Sequence, residues 1–319
     1  MWKLLSILQK KMTFTIPLFM ILGLLYGYFF SVTFLKSWIQ PLTFLMVYPM
    51  MVTMNMKELI KKGNQTVQFA ALFINFTVMP FIGFTIGRIF FPNNTMLVLG
   101  LLLASLIPTS GMTISWTGFA KGNLSAAIKM TIIGLISGSL LTPIYLKVLM
   151  GASVAISLPS IFLQIITVVF LPMIVGYATQ LILRKKYGDE QYQTRFKPKF
   201  PLFSTVGVFG IVFVSMALKS KNILSNPGEL LYILIPLLIF YMINFLISTI
   251  VAKFFFDRAN GIALVYGTVM RNLSIALAIA LSVFKENGSE IALIIALAYI
   301  IQVQSAAWYV KFTDIIFKK

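Results

Sequence analysis

Ten runs of about 20 predominantly apolar residues follow one another along the chain, at roughly 13–30, 38–56, 66–91, 95–120, 124–150, 158–183, 200–218, 229–256, 259–284 and 289–312. A helix needs a run of that length to cross a hydrocarbon core of about 30 Å, and in lipid a helix satisfies its backbone polar groups internally. Ten of them in 319 residues predict an all-α polytopic membrane protein. The composition, 59% apolar and 11% charged, points the same way. The N-terminal MWKLLSILQKKM precedes the first run without a small-residue cleavage site and is read as part of an uncleaved first helix.

The charge pattern orients the runs. The net charge of +18 comes from basic residues scattered in short clusters between apolar segments, the pattern of the positive-inside rule rather than of a nucleic-acid-binding face. With the termini cytoplasmic, eighteen of the 26 basic residues fall on that side. They run from Lys3, Lys10 and Lys11 through Lys57, Lys61 and Lys62 and the cluster within 184–199 to Lys311, Lys318 and Lys319. Lys36, Arg88, Lys147, Lys219, Lys221 and Lys285 fall on the other side, and Lys129 and Arg271 lie within runs. The expected location is the plasma membrane, multi-pass, with both termini in the cytoplasm and the lipid bilayer as the surrounding partner.

The hydrophilic segment RKKYGDEQYQTRFKPK, 184–199, reads as a cytoplasmic linker. It separates 1–183, the first five-helix repeat plus the start of the second (helices 1–6), from 200–319, helices 7–10. The repeats themselves are placed at approximately 1–150 and 155–319. Two groups of five spans insert with opposite orientation, so related halves would form an inverted repeat.

Chemistry concentrates in the fourth run of each half, IPTSGMTISW (107–116) and GTVMRN (267–272). Pro108 removes a backbone donor and Gly111 loosens the turn, so a helix break is expected there. Such irregular backbone is tolerated at membrane depth only where protein or a wet cavity surrounds it. Arg271 is the sole charge between Ala259 and Phe284 and sits about halfway across the bilayer at a rise of about 1.5 Å per residue. An ionisable residue at that depth marks a substrate or ion path or ties helices together at a break. Asn272 beside it offers donors and an acceptor. Lys129, a turn and a half after AKGN (120–123), either faces the interior or snorkels to the surface. Gln302, Gln304 and Ser305 in the last run pose a similar choice between helix contacts and the interior.

The missing residue types exclude whole classes. The chain has no cysteine and no histidine, which removes disulfides, thiol nucleophiles, thiolate or imidazole metal sites and the usual general base. All eight acids, Glu58, Asp189, Glu190, Glu229, Asp257, Glu286, Glu290 and Asp314, fall in loops or at the ends of runs. The interior charge is therefore positive, which favours an anionic substrate or a cation site taken over by a tethered cation. No catalytic residue and no metal ligand is assigned.

The segments IPTSGMTISWTGFAKGN (107–123), SGSLLTP (137–143) and VMRNLSIALAIALSVF (269–284) resemble the bile acid:sodium symporter superfamily, which includes arsenite efflux permeases, in a divergent bacterial or archaeal form. The resemblance covers the whole chain. It implies ten transmembrane helices in two inverted five-helix repeats, panel and core domains, crossed discontinuous fourth and ninth helices beside the substrate, and alternating access. It also exposes departures. The glutamate and glutamine that the sodium-coupled members bring to the ion sites align with Gly267 and Arg271, next to Thr268. A serine–asparagine pair becomes Thr113 and Ile114, while Thr131 keeps a hydroxyl at a ligand position. The cysteine of the arsenite permeases aligns with Thr109. Asn272 matches an asparagine that the family places at the substrate.

These readings converge on a secondary active transporter of a small organic anion, such as a carboxylate metabolite. Arg271, Asn272, Thr109, Ser110, Gly111 and Thr113 are the expected substrate-binding residues, and Lys129, Thr131, Gly267 and Thr268 the expected ion-site or charge-replacement residues. No cofactor is expected, and the departures at the ion positions argue against a bound Na+. The rivals are an arsenite or antimonite efflux permease, a sodium-coupled bile acid-type symporter, a ligand-binding sensor that does not transport, and an intramembrane enzyme. Nothing in the chain sets an oligomeric state.

Overall fold

In the computed structural model the described residues are 2–55, 63–151, 158–225, 228–284 and 287–317. Lys57, Lys61, Lys62, Lys285, Lys318 and Lys319, the acids Glu58 and Glu286, and much of the repeat junction near 150–155 lie outside them. The described residues are helical almost throughout, with no strand among them.

The helices in chain order are α1 (Trp2–Lys10), α2 (Met12–Phe29), α3 (Ile39–Val52), α4 (Gln65–Phe73), α5 (Met79–Phe90), α6 (Thr95–Leu106), α7 (Gly111–Phe119) and α8 (Leu124–Met150). There follow α9 (Leu158–Ile165), α10 (Leu171–Tyr187), the single turn α11 (Asp189–Gln191), α12 (Phe200–Ser225), α13 (Gly228–Phe255), α14 (Arg258–Val269), α15 (Leu273–Val283) and α16 (Gly288–Ile316). Among the described residues six helical stretches are long and apolar enough to cross a membrane: Gln65–Phe90, Leu124–Met150, Ile161–Tyr187, Asp189–Lys221, Leu230–Phe255 and Gly288–Ile316. Phe14–Phe29, Thr95–Leu106 and Leu273–Val283 are shorter apolar helices. The runs 95–120 and 259–284 are each divided into two short helices, α6 and α7, and α14 and α15.

The chain forms two compact units, Met1–Met54 with Pro159–Leu230 and Ser274–Ala296, and Asn55–Leu158 with Leu231–Leu273 and Leu297–Lys319. In the first, α2 lies against α12 through Gly23 and Gly27, one helical turn apart. A Cβ on Gly27 would stand 2.1 Å from the Ala217 carbonyl oxygen, and one on Gly23 would stand 2.5 Å from that of Phe213. Small residues four apart let two membrane helices approach this closely. The 184–199 stretch is helical turns in place of extended loop. It is pinned by Tyr192, which is fully buried and donates its hydroxyl to Val52 O at 2.8 Å.

In the second unit α4 passes into α5 through a wider π turn, Ile74–Val78. Pro80 follows and has no N–H to offer the carbonyl of Phe76, four residues back. The hydroxyl of Tyr145 takes that carbonyl instead. AKGN also has a local reason: Lys121 adopts a left-handed φ of 57° to end α7, and Asn123 caps α8 by accepting from the Ala126 N–H. The Asn123 amide reaches Asn64 Oδ1 at 3.1 Å and Asn260 Oδ1 at 2.9 Å, joining the starts of α4, α8 and α14.

Candidate functional site

Both interruptions lie in the second unit and meet there. Ile107 precedes Pro108 and is extended, as the proline ring demands. Thr109 then takes a left-handed φ of 62°. Gly111 was the residue expected to loosen this turn, yet it opens α7, and the strained position falls on a β-branched threonine. Thr109 is held by its own hydroxyl, which donates to Pro108 O at 2.7 Å and Thr131 O at 3.2 Å. Ser110 restarts the helix with a reciprocal cap: its Oγ accepts from Met112 N at 3.2 Å, and Thr113 Oγ1 accepts from Ser110 N at 3.1 Å.

The second interruption, Met270–Asn272, lies alongside the first. Pro108 and Arg271 form an isolated antiparallel bridge, and the Asn272 N–H donates to Ile107 O at 2.8 Å. The side chain of Gln302, fully buried on α16, stands in for a neighbouring strand. Its Oε1 accepts from Arg271 N at 2.8 Å and its Nε2 donates to Arg271 O at 3.2 Å. Tyr241 on α13 donates its hydroxyl to the same Oε1 at 2.9 Å.

The guanidinium of Arg271 is buried, with 1% of the residue exposed. Nη1 donates to Ser105 O at 3.2 Å, and Cζ lies 5.9 Å from the centre of the Phe240 ring. Nε and Nη2 have no hydrogen-bond partner among the described residues. The acids that are described lie at or near helix ends. Glu290 pairs with Lys219 in the first turn of α16, and Asp314 pairs with Arg258 near its end.

The backbone carbonyls at the end of α14 are occupied by side-chain amides. Asn75, within the π turn, donates to Gly267 O at 2.9 Å, and Asn244 donates to Thr268 O at 3.1 Å. Thr268 Oγ1 lies 2.6 Å from Ser248 Oγ. Gly267 is helical, and its missing Cβ leaves room for Met130, whose sulfur would stand 2.3 Å from such an atom.

Arg271, Asn272, Thr109, Ser110 and Thr113 thus belong to one meeting of two interruptions, with Gly111 at the start of α7. Thr131 joins it through its carbonyl, its hydroxyl being turned to Ala127 O at 2.8 Å in its own helix. Lys129 is buried, and its Nζ donates to Gly63 O at 3.0 Å before α4. Gln302 was left undecided by sequence, and Ser105, Asn75, Tyr241 and Asn244 were passed over. Asn75 and Asn244 each interrupt an apolar run, the same kind of signal that singled out Arg271, but without charge.

Comparison with known proteins adds the family. A model of the Sodium Bile acid symporter family matches residues 40–226, more than half of the chain. The arsenical-resistance protein Acr3 of Corynebacterium glutamicum is 23% identical over 231 residues, 69% of this chain and 62% of that protein. An uncharacterized sodium-dependent transporter of Bacillus subtilis, YocS, is 24% identical over 254 residues, 78% and 75% of the two chains. Sodium/bile acid cotransporter 7 of Danio rerio is 26% identical over 202 residues, 60% of this chain and 57% of that one. The chain therefore spans less than two thirds of the length of the Acr3 and cotransporter 7 relatives. With the family match running from α3 to the end of α12 and two interrupted apolar helices meeting at Pro108 and Arg271, the chain belongs to the sodium bile acid symporter family.

Proposed function

We propose that the chain is a secondary active transporter that carries a small organic anion across the plasma membrane by alternating access, with ten spans in two inverted repeats and both termini cytoplasmic. The family is one of transporters rather than enzymes. The observation that carries the anion reading is Arg271, buried at the meeting of the interruptions with Nε and Nη2 unpartnered among the described residues. A buried guanidinium without a counter-charge is costly, and a substrate anion supplies one. Asn272 provides the neighbouring hydrogen-bonding side chain, while the amides of Ser110, Met112 and Thr113 are taken up by the cap of α7.

Coupling to sodium is not part of this reading. The carbonyls of Ser105, Ile107, Gly267, Thr268 and Arg271 each already accept from a protein donor, which weakens them as ligands for a cation. Arg271 places a fixed positive charge at the same locus. The test is uptake into proteoliposomes. Saturable anion uptake should be equal in sodium and potassium media and lost in Arg271→Ala; retained sodium dependence would sink the sodium-independent reading.

A second reading follows from the similarity to Acr3. Arsenical resistance in that relative suggests efflux of arsenite or antimonite here, through hydroxyls and amides because Thr109 carries no thiol. Rescue of an arsenite-sensitive cell by the chain, undiminished in Arg271→Ala, would favour it over the anion carrier.

A further inference from the structure

The guanidinium of Arg271 is committed on one side only. Nη1, the nitrogen on the Cδ side of the group, donates to Ser105 O, and the Phe240 ring lies near Cζ. The two nitrogens without partners among the described residues, Nε and Nη2, are the pair whose N–H bonds run parallel along the opposite edge. That edge meets two oxygens bound to one atom, forming two charge-assisted hydrogen bonds at once. The rest of the residue is fixed: Gln302 grips its backbone from both sides, Tyr241 holds Gln302, and Asn272 ties the next amide to Ile107. A rigidly mounted cation with its bidentate edge buried and unspent is built to receive something.

Resting on the anion reading above, we infer that the Nε/Nη2 edge of Arg271 is a binding site for a singly charged head group with two oxygens on one centre, a carboxylate or a sulfonate, taken side-on. The charge count sets the valence. Lys129, the other buried cation among the described residues, is tied to Gly63 O beside α4, and the described acids stand at helix ends. One fixed positive charge matches one negative charge, and a dianion would bring a second charge into the interior without a partner. The geometry sets the shape. A halide has no pair of oxygens, a neutral hydroxylated species forfeits the charge assistance, and a lysine ammonium cannot present the fork.

The test uses the purified full-length chain and matched probes, read by the rise in melting temperature that ligand binding to the native state produces. The pairs are butyrate with succinate and benzoate with terephthalate, alongside taurocholate, butyramide, arsenite and bromide. At least one carboxylate or sulfonate monoanion should stabilise the protein saturably. Its dianionic or amide counterpart should need at least about tenfold more, a difference of about 1.4 kcal/mol. Arg271→Lys should weaken the monoanion by at least about tenfold while melting near the ligand-free wild type. If the lysine variant does not fold, the wild-type comparison of monoanion with dianion decides alone. A dianion that binds as tightly as its monoanion, or a lysine variant equal to wild type, overturns the side-on assignment and leaves the anion reading standing. If no anion in the panel stabilises the protein, or if Arg271→Ala keeps the full effect, the anion reading itself falls. Benzoate responding where taurocholate does not assigns the head to a carboxylate, and the reverse assigns it to a sulfonate.

Discussion

At the scale of single residues, the site is a set of buried polar groups whose partners lie far away in sequence. Gln302 is the most consequential of them. Replacing it with leucine removes the acceptor of the Arg271 N–H, the donor to the Arg271 carbonyl and the acceptor of the Tyr241 hydroxyl. Each buried group left unpaired costs about 1–3 kcal/mol. Gln302→Leu should therefore lower the unfolding free energy in detergent several-fold more than Tyr241→Phe, which deletes a single hydroxyl; equal losses would mean that Gln302 does not hold the Arg271 backbone. The sequence made Arg271 and Pro108 legible because each carries its signal alone, a charge in an apolar run and a missing donor, whereas Ser110 and Thr113 were singled out as substrate ligands and turn out to cap α7. It could not tell Gln302 from Gln304, since the choice depends on which helix stands opposite. The left-handed Thr109 was hidden for another reason: glycine is the expected occupant of such a φ, and here hydroxyl bonds to Pro108 and Thr131 hold a threonine there.

At the scale of elements, caps and close approaches decide where helices begin and how near they come. Asp257 caps α14, its carboxylate accepting from Ala259 N at 2.9 Å and Asn260 N at 3.1 Å, with Asn260 Nδ2 at 2.5 Å. Its partial burial alone would raise the carboxyl pKa, but the hydrogen bonds from Asn260 and Ala259 outweigh that and hold it below the ordinary value. A carboxylate depressed on folding contributes stability that is present above its unfolded pKa and lost as pH falls through the folded one. Asp257→Ala should cost about 1 kcal/mol at neutral pH. In parallel unfolding titrations the gap from wild type should close below about pH 4, and a gap that widens in acid would contradict the cap. Gly27 acts through space instead. Its α-hydrogen faces the Ala217 carbonyl where a methyl would not fit, so Gly27→Ala should force α2 and α12 apart at a cost of about 1–3 kcal/mol. Gly228, with nothing near the position of its Cβ, should accept alanine with little change, and matching thermal shifts for the two would refute the packing argument. The breaks in the runs 95–120 and 259–284 were readable from Pro108 and Arg271. The π turn at Ile74–Val78, two residues before Pro80, was not expected; a second one, Ile166–Phe170, stands at the same distance before Pro172.

At the scale of the whole molecule, the hydropathy runs and the lack of cysteine make the topology open to direct experiment. Each introduced cysteine is the sole thiol in the chain. Lys11→Cys and Lys311→Cys should react with an impermeant maleimide only from the cytoplasmic side, and Lys36→Cys and Lys147→Cys only from the outside, as the positive-inside bias requires. Labelling of Lys11→Cys and Lys36→Cys from the same side would overturn the orientation. The helical class and the family were within reach of sequence because they rest on long-wavelength features, run length and a few motifs. The arrangement of partners around Arg271 was not, because it is assembled from α6, α13, α14 and α16 at once.

The pairing of the two interruptions also has a history in time. The carbonyl of Ser105 accepts from a donor 166 residues further along the chain. Ribosomes add about 5–20 residues per second, so that donor emerges on the order of ten to thirty seconds later. Until then the carbonyls of Ser105 and Ile107 lack the donors that complete them, a shortfall that lipid does not make good. The joint is therefore among the last parts of the second unit that synthesis can complete. A nascent product stopped before Met270 holds half of a joint, and cellular quality control should recognise and clear it, while one carried past Gln302 has every part needed to close.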